Sequence, residues 1–202
     1  MAKRKIKLAA LIGKGGRLPA IYQCIKKDPL VDLVLVVSHK KEAPGVDLAK
    51  RWGIESFYFK LSDWENRKEY ERELAKILKK RKIDLIIMAG WDLVMSGEFL
   101  RHFPNQVINI HPSLCPAFPG MNAEKQALAR GVKITGCTLH FVDPGVDTGP
   151  IILQREVEIS SGDTIKKLQE KIHKEEEKIL CRGIKLFSQG KLKIKGKKVL
   201  IK

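Results

Sequence analysis

The chain has 202 residues, 44% of them hydrophobic, and 39 Lys+Arg against 23 Asp+Glu for a formal net charge of +16. That length suffices for one domain whose core needs neither disulfides nor metal, and no apolar run approaches the ~18 residues of a membrane span, so a soluble, cytoplasmic, single-domain protein is expected. The charge surplus raises nucleic-acid binding, but the cations are spread over helical stretches and the tail Lys191 to Lys202, without the interleaved aromatics of a single-strand platform; nucleic acid and membrane are set aside, and a lysine-rich, ion-pair-dense surface is preferred.

The N-terminus, Met1-Ala2-Lys3-Arg4-Lys5, is basic, but the apolar stretch behind it stops at Gly13-Lys14-Gly15 with no secretory cleavage site. It reads as the entry to a first strand, Ile6 to Ile12. A helix follows over Leu18 to Lys27, then a β-branched strand, Val31 to Val37, and a short helix, Asp47 to Trp52, ended by Gly53. Ile54 to Phe59 reads as a third strand, Asn66 to Lys82 as a charged amphipathic helix, and Ile83 to Ala89 as a fourth strand. Continuous apolar strands alternating with helices predict an α/β, doubly wound, mostly parallel Rossmann-like sheet with helices on both faces. Val107 to Ile110 is a buried strand ended by Pro112.

The second half changes character. Ile134 to Val142 and Ile151 to Ile159 are long strands flanking a loop around Asp147. Asp163, with Thr164 behind it, is predicted to cap a long helix running to about Ser188. Lys191 to Lys202 alternates charged and apolar residues about Gly196, which predicts a terminal hairpin and completes a C-terminal strand and long-helix extension. Cys24, Cys115, Cys137 and Cys181 show no CxxC pairing, so neither a disulfide framework nor a zinc ribbon is expected. Cys137 with His140 is read as strand packing, and no metal is predicted.

Two stretches carry chemistry. Asn109-Ile110-His111-Pro112-Ser113 places an amide and an imidazole two residues apart, hence on one face of an extended strand. Val142-Asp143-Pro144-Gly145-Val146-Asp147-Thr148-Gly149-Pro150 adds a carboxylate. An amide N–H can donate to a developing oxyanion, an imidazole can carry protons near neutrality, and an acid can hold the imidazole and favour its charged form. Such a trio suits acyl transfer through a tetrahedral intermediate. Ligands of parallel α/β sheets gather at the carboxyl ends of the strands. Gly15, Gly90 and Asn109 fall near three such ends, so their loops are expected to converge on one cleft.

The stretch Asn109 to Gly120, "NIHPSLCPAFPG", and the block His140 to Gln154 resemble the folate-dependent formyltransferases over almost the whole chain. Phe118-Pro119-Gly120 and Thr148-Gly149-Pro150-Ile151 favour the branch that formylates glycinamide ribonucleotide in purine synthesis over the methionyl-tRNA branch. The resemblance implies that Asn109 binds the formyl oxygen, His111 is the general acid/base and Asp147 tunes it, with 10-formyltetrahydrofolate as co-substrate and a small phosphorylated amine as acceptor. It also implies a single formyltransferase domain over 1–202: a nucleotide-binding-like half, 1–110, and a half, 111–202, carrying the catalytic loop, the folate-loop strands, the long helix and the tail. A monomer or homodimer is expected.

The loop Gly13-Lys14-Gly15-Gly16-Arg17 opens a helix with Pro19 near its first turn, which aims backbone N–H groups at an anion; a plain strand–helix turn is the competing reading. The family's usual loop reads Gly-Asn-Gly-Ser-Asn, and Gly16 and Arg17 depart from it, so Lys14 and Arg17 are expected to replace the lost polar groups with charge. The substrate-binding set is Gly13, Gly15, Gly16, Arg17, Gly90, Pro112 and Glu176, the last aligned with a family acid that holds the acceptor's amino end, unless Glu175-Glu176-Glu177 is an exposed ion-pair face. For the folate, the resemblance implies Arg67, Met88, Asp92, Leu93, Val94, Met95, Asn109, Val142 and Asp147; the apolar lining suits a flat pterin, with core packing as the alternative. Arg67 is expected near the anionic folate tail, or else on a solvated helix face. Asp92 and Leu93 stand where the family commonly has Met followed by Arg or Lys. These departures leave a second reading open, a formyltransferase for another phosphorylated amine or a formyltetrahydrofolate hydrolase.

Overall fold

A computed structural model describes residues 4–202, which form two compact units divided between Ile108 and Asn109. The first unit is a parallel α/β layer in the strand order β3-β2-β1-β4, with β1 at Ile6–Ile12, β2 at Val31–Ser38, β3 at Glu55–Tyr58 and β4 at Leu85–Ala89. Every residue of β4 is buried, as are the last five of β1. A strand sandwiched on both faces has no polar side to show, and its sequence loses the alternation of a half-exposed sheet.

The connections are helices α1 (Leu18–Lys26), α2 (Pro44–Arg51), α3 (Arg67–Lys80) and the short α4 (Gly97–Arg101). α1 and α2 begin with proline in their first turn, where a missing N–H costs nothing. α3 and α4 are capped by side chains: Asn66 Oδ1 accepts from Glu69 N at 3.0 Å and Ser96 Oγ from Phe99 N at 3.1 Å. α2 starts three residues before the expected Asp47, because Pro44 rather than the acid opens it.

Strand β5 (Val107–His111) spans the division, and the second unit holds α5 (Ala123–Arg130), β6 (Ile134–Phe141), β7 (Ile151–Glu158), α6 (Ile165–Ser188), β8 (Leu192–Lys195) and β9 (Lys198–Ile201). β6 and β7 pair antiparallel around the Asp147 loop, β9 joins β7 in parallel, and β8 and β9 close the expected hairpin. The 24-residue α6 buries Leu168, Ile172, Ile179, Leu180 and Ile184 on one stripe. It lies close on β6 at Gly183, where an added Cβ would sit 2.1 Å from Leu139 Cδ2.

Two expectations are corrected. The cap of α6 is Thr164, whose side chain accepts from Lys167 N at 3.3 Å, while Asp163 pairs instead with Lys171 at 2.5 Å and accepts from Ser160 N at 2.9 Å. Cys24 and Cys181 are disulfide-bonded, whereas Cys115 and Cys137 are buried free thiols. Missing CxxC spacing excludes a local clip and carries no further information about which thiols are oxidised. No helix among the described residues is long and apolar enough to cross a membrane.

Candidate active site

In the second unit, β5 carries Asn109 and His111 on one face with Ile110 buried on the other. Past Pro112 the chain turns back over β6: Thr138 Oγ1 donates to Ser113 O at 2.6 Å and accepts from Cys115 N at 2.9 Å, and Ser113 Oγ donates to Ala117 O. The turn closes with Phe118 at φ 52° and Gly120 at φ 78°. This brings the Phe118 carbonyl within 2.8 Å of His111 Nε2.

The Asp147 loop approaches from the β6–β7 connection. Asp143 Oδ1 accepts from Gly145 N at 3.1 Å and Thr148 Oγ1 at 2.7 Å, which folds the loop on itself. Asp147 stands at φ 54°, a left-handed conformation that short polar side chains tolerate. Gly149 follows where a Cβ would lie 1.7 Å from Phe141 O, so no other residue fits without moving backbone. Gly149→Ala is therefore expected to destabilise the chain by about 3 kcal/mol or more, read as a lower urea midpoint at unchanged m-value.

These two loops meet at the Asp147 carboxylate. Oδ2 accepts from Gly120 N at 2.8 Å and lies 3.3 Å from His111 Nδ1; Oδ1 accepts from Asn109 Nδ2 at 3.2 Å and lies 3.6 Å from His140 Nε2. Burial pushes this carboxyl up, but the neighbouring His140 ring, the hydrogen bond from Gly120 N–H and the nearby His111 ring outweigh it, so it ionises below the ordinary aspartate value. Both ring nitrogens of His111 face acceptors, a carbonyl on one side and a carboxylate on the other, so the ring is held at both ends. His140 Nδ1 donates to Phe141 O at 2.9 Å, leaving Nε2 to accept from Asn109 Nδ2 at 3.2 Å. Asn109 thus has both amide hydrogens committed, with the carboxamide oxygen turned the other way.

The first unit holds its own group of expected residues. Gly13, at the end of β1, meets Gly90, after β4: a Cβ on Gly13 would sit 2.3 Å from Gly90 O. Arg17 Nη1 lies 3.6 Å from the position of a Cβ on Gly90, and Gly16 faces open space. Gly15, at φ 90°, packs directly on Gly45, and Gly45 N donates to Lys14 O at 3.0 Å, so the glycine loop is braced by the start of α2. Of the three glycine and asparagine loops expected to converge, Gly90 meets Gly13 rather than Gly15, which packs on Gly45, and Asn109 belongs to the other unit.

Arg67 is partly exposed but tied down at both ends of its guanidinium. Its Nε pairs with buried Glu71 Oε1 at 2.9 Å and its Nη2 donates to Val94 O at 2.6 Å, while Glu71 also accepts from Ser96 N at 3.2 Å and from Ser96 Oγ. This ties segment 92–96 to α3. Met88 and Met95 are buried and Val94 is 52% exposed, so the implied pterin wall is partly core. Glu176 is completely buried, which separates it from the exposed Glu175–Lys178 pair at 2.5 Å. Asp92 is engaged as well, by Lys40 and His39. Sequence patterning missed Glu71, Ser96, His39, Lys40 and the Phe118 and Gly120 backbone groups; the one available signal was Ser96, a capping residue three positions before Phe99.

A family profile described as formyl transferase matches residues 6–184. The trifunctional purine biosynthetic protein adenosine-3 of Drosophila melanogaster is 39% identical over 194 residues, covering 94% of this chain and only 14% of that protein's length. Phosphoribosylglycinamide formyltransferase of Bacillus subtilis is 38% identical over 82% of this chain and 86% of its own length. A crystal structure of glycinamide ribonucleotide transformylase 1 from Symbiobacterium toebii superposes with a TM-score of 0.94 at 40% identity, covering 98% of this chain and 94% of that one. With the profile spanning nearly the whole sequence and the α/β fold shared, the chain belongs to the formyl transferase family.

Proposed function

We propose that this chain transfers the formyl group of 10-formyltetrahydrofolate to the amine of glycinamide ribonucleotide. The observation that carries the reading is the single carboxylate of Asp147 held at once by Asn109, Gly120 and His111. The names of the relatives supply the acceptor, and the resemblance of Asn109–Gly120 and His140–Gln154 to the folate-dependent formyltransferases supplies the donor. In the transfer, the acceptor nitrogen attacks the formyl carbon and the C=O π electrons move onto oxygen. Asn109 releases one of its two internal partners and donates that N–H to the oxyanion, an interaction worth ~10²–10³ in rate. His111, its imidazolium held between Phe118 O and Asp147, gives a proton to the departing folate nitrogen, and the proton lost by the acceptor nitrogen restores it. His140, accepting from Asn109, is a positioning residue that keeps the amide hydrogens aimed into the site.

The Gly13–Arg17 loop takes the acceptor's phosphate through backbone N–H groups and flanking cations. Segment 92–95 lines the pterin, with Arg67 holding that segment in place rather than only meeting the folate tail. Arg67→Met is accordingly expected to raise KM for 10-formyltetrahydrofolate about tenfold, the loss of charge-assisted bonds, while changing kcat less; equal losses in both constants would place the arginine elsewhere. Glu176, buried on α6, is assigned to the acceptor's amino end.

Steady-state kinetics with the ribonucleotide and the formyl folate test the assignment. Saturable production of formylglycinamide ribonucleotide is expected, with release of formate in the absence of acceptor slower by orders of magnitude. Release of formate at the same rate without acceptor would make the chain a hydrolase.

A further inference from the structure

At the carboxyl edge of the parallel sheet in the first unit, three charged or titratable side chains form a contiguous set that the acyl-transfer chemistry does not use. Asp92, after β4, places Oδ1 2.5 Å from His39 Nε2 and Oδ2 2.6 Å from Lys40 Nζ. His39 and Lys40 directly follow β2. The His39 side chain is 7% exposed, its ring edge-on to Trp91 at 4.6 Å. The groups facing it within this unit are Asp92 and Trp91 from the segment after β4, Lys40 from its own strand end and the backbone of Ile12 from β1.

The set borders the anion loop directly. Lys40 Cε lies 3.7 Å from the position of a Cβ on Gly13, the first loop residue. Ser38 Oγ donates to Gly13 O at 2.8 Å and accepts from Lys40 N at 3.0 Å, so the backbone carrying Lys40 is pinned to the loop. A carboxylate this close to a phosphate site opposes anion binding. Here it is compensated: Lys40 and Asp92 sum to zero, and a charged His39 makes the set net positive.

We propose that His39, Lys40 and Asp92 form a counter-charge set that determines how strongly the Gly13–Arg17 loop holds the anionic group of the acceptor, Asp92 weakening that hold and Lys40 and His39 restoring it. The inference rests on the acceptor reading above and adds residues to it. Burial holds the His39 ring below its ordinary pKa, so the set is neutral near pH 7 and gains its positive charge in acid. Acceptor binding is therefore strengthened by this set as pH falls.

The test compares kcat/KM for glycinamide ribonucleotide with kcat/KM for its dephosphorylated riboside, in the parent chain and in Asp92→Asn, Lys40→Met, His39→Asn and the double variant Lys40→Met/Asp92→Asn. The phosphate-to-riboside ratio is expected to rise several-fold in Asp92→Asn, to fall about tenfold in Lys40→Met, and to return near the parent value in the double variant, each effect shrinking at high salt. From pH 8 to pH 5.5 the ratio of the parent is expected to gain on that of His39→Asn; the titration of the phosphate itself near pH 6 is common to both and cancels. Dissociation constants for inorganic phosphate, by calorimetry, should follow the same order. Ratios and phosphate affinities within twofold of the parent, with only thermal stability altered, would make the set a loop brace and overturn the inference. Absence of any turnover of the ribonucleotide, with phosphate affinities still in the expected order, would reject the acceptor reading and leave the counter-charge set standing.

Discussion

His111→Ala is expected to lower kcat about 10²–10⁴-fold while binding of the formyl folate, measured by fluorescence titration, changes by less than about threefold. His111 is 4% exposed and both ring nitrogens point at protein acceptors, so it is a held proton carrier rather than a surface for ligand contact. Removing the ring leaves Phe118 O and one side of Asp147 without their partner, but it does not break the bonds that tie Asp147 to Gly120 and Asn109. The loss should therefore fall on chemistry. A substantial residual rate is expected from Asn109 and substrate positioning.

Asp147→Asn is expected to cost about 10²–10⁴-fold in kcat, as for an acid that orients a catalytic imidazole. Three donors converge on this carboxylate, and an amide can serve only part of them. Its own N–H groups would face the Gly120 N–H or the Asn109 amide, and two donors cannot pair.

The same residue has a stability signature. Its folded carboxyl ionises below the ordinary value, so between the two pKa values the unfolded chain binds more protons than the folded one. The stabilisation is complete above the unfolded pKa of about 3.9 and is lost as pH falls through the lower folded value. Asp147→Asn should lack that acid-side loss. Urea midpoints from pH 6 down to pH 3 check it: parallel curves for parent and variant would show that the carboxylate is not held as described.

Much of this architecture was legible in the sequence because it depends on long, strongly patterned runs. Leu85–Ala89 is apolar throughout, and Ile6–Ile12 and Val31–Ser38 are apolar but for Lys7, Asp32 and Ser38, since strands covered on both faces have little reason to alternate. The 24-residue α6 and the hairpin about Gly196 were equally plain. Short elements were not: α4 has five residues and α5 eight, too few turns to establish a period. At α6, Asp163 and Thr164 are both good caps, and only the backbone shows that Thr164 holds the position.

The site divides the same way. Asn109 and His111 share a strand, so their common face follows from the pleat alone. That Asp147 meets them depends on two loops with positive-φ residues, Phe118 and Gly120 in one and Asp147 in the other. The motif identified the loops but not the Gly120 N–H and Phe118 carbonyl that complete the arrangement. Arg67 and Asp92 illustrate the limit of residue-type reasoning: each was read by its charge, and each proves to be defined by partners 4 to 53 positions away, Glu71 and Val94 for the one, Lys40 and His39 for the other.

The most direct test is a single-turnover experiment with enzyme in excess over 10-formyltetrahydrofolate carrying an isotopically labelled formyl carbon, in the presence of glycinamide ribonucleotide, with the parent chain and His111→Ala. The account predicts that label passes quantitatively to the ribonucleotide amine in the parent and at least 10²-fold more slowly in the variant. Label reaching the amine at the parent rate in His111→Ala, or appearing only as formate in both, would contradict it.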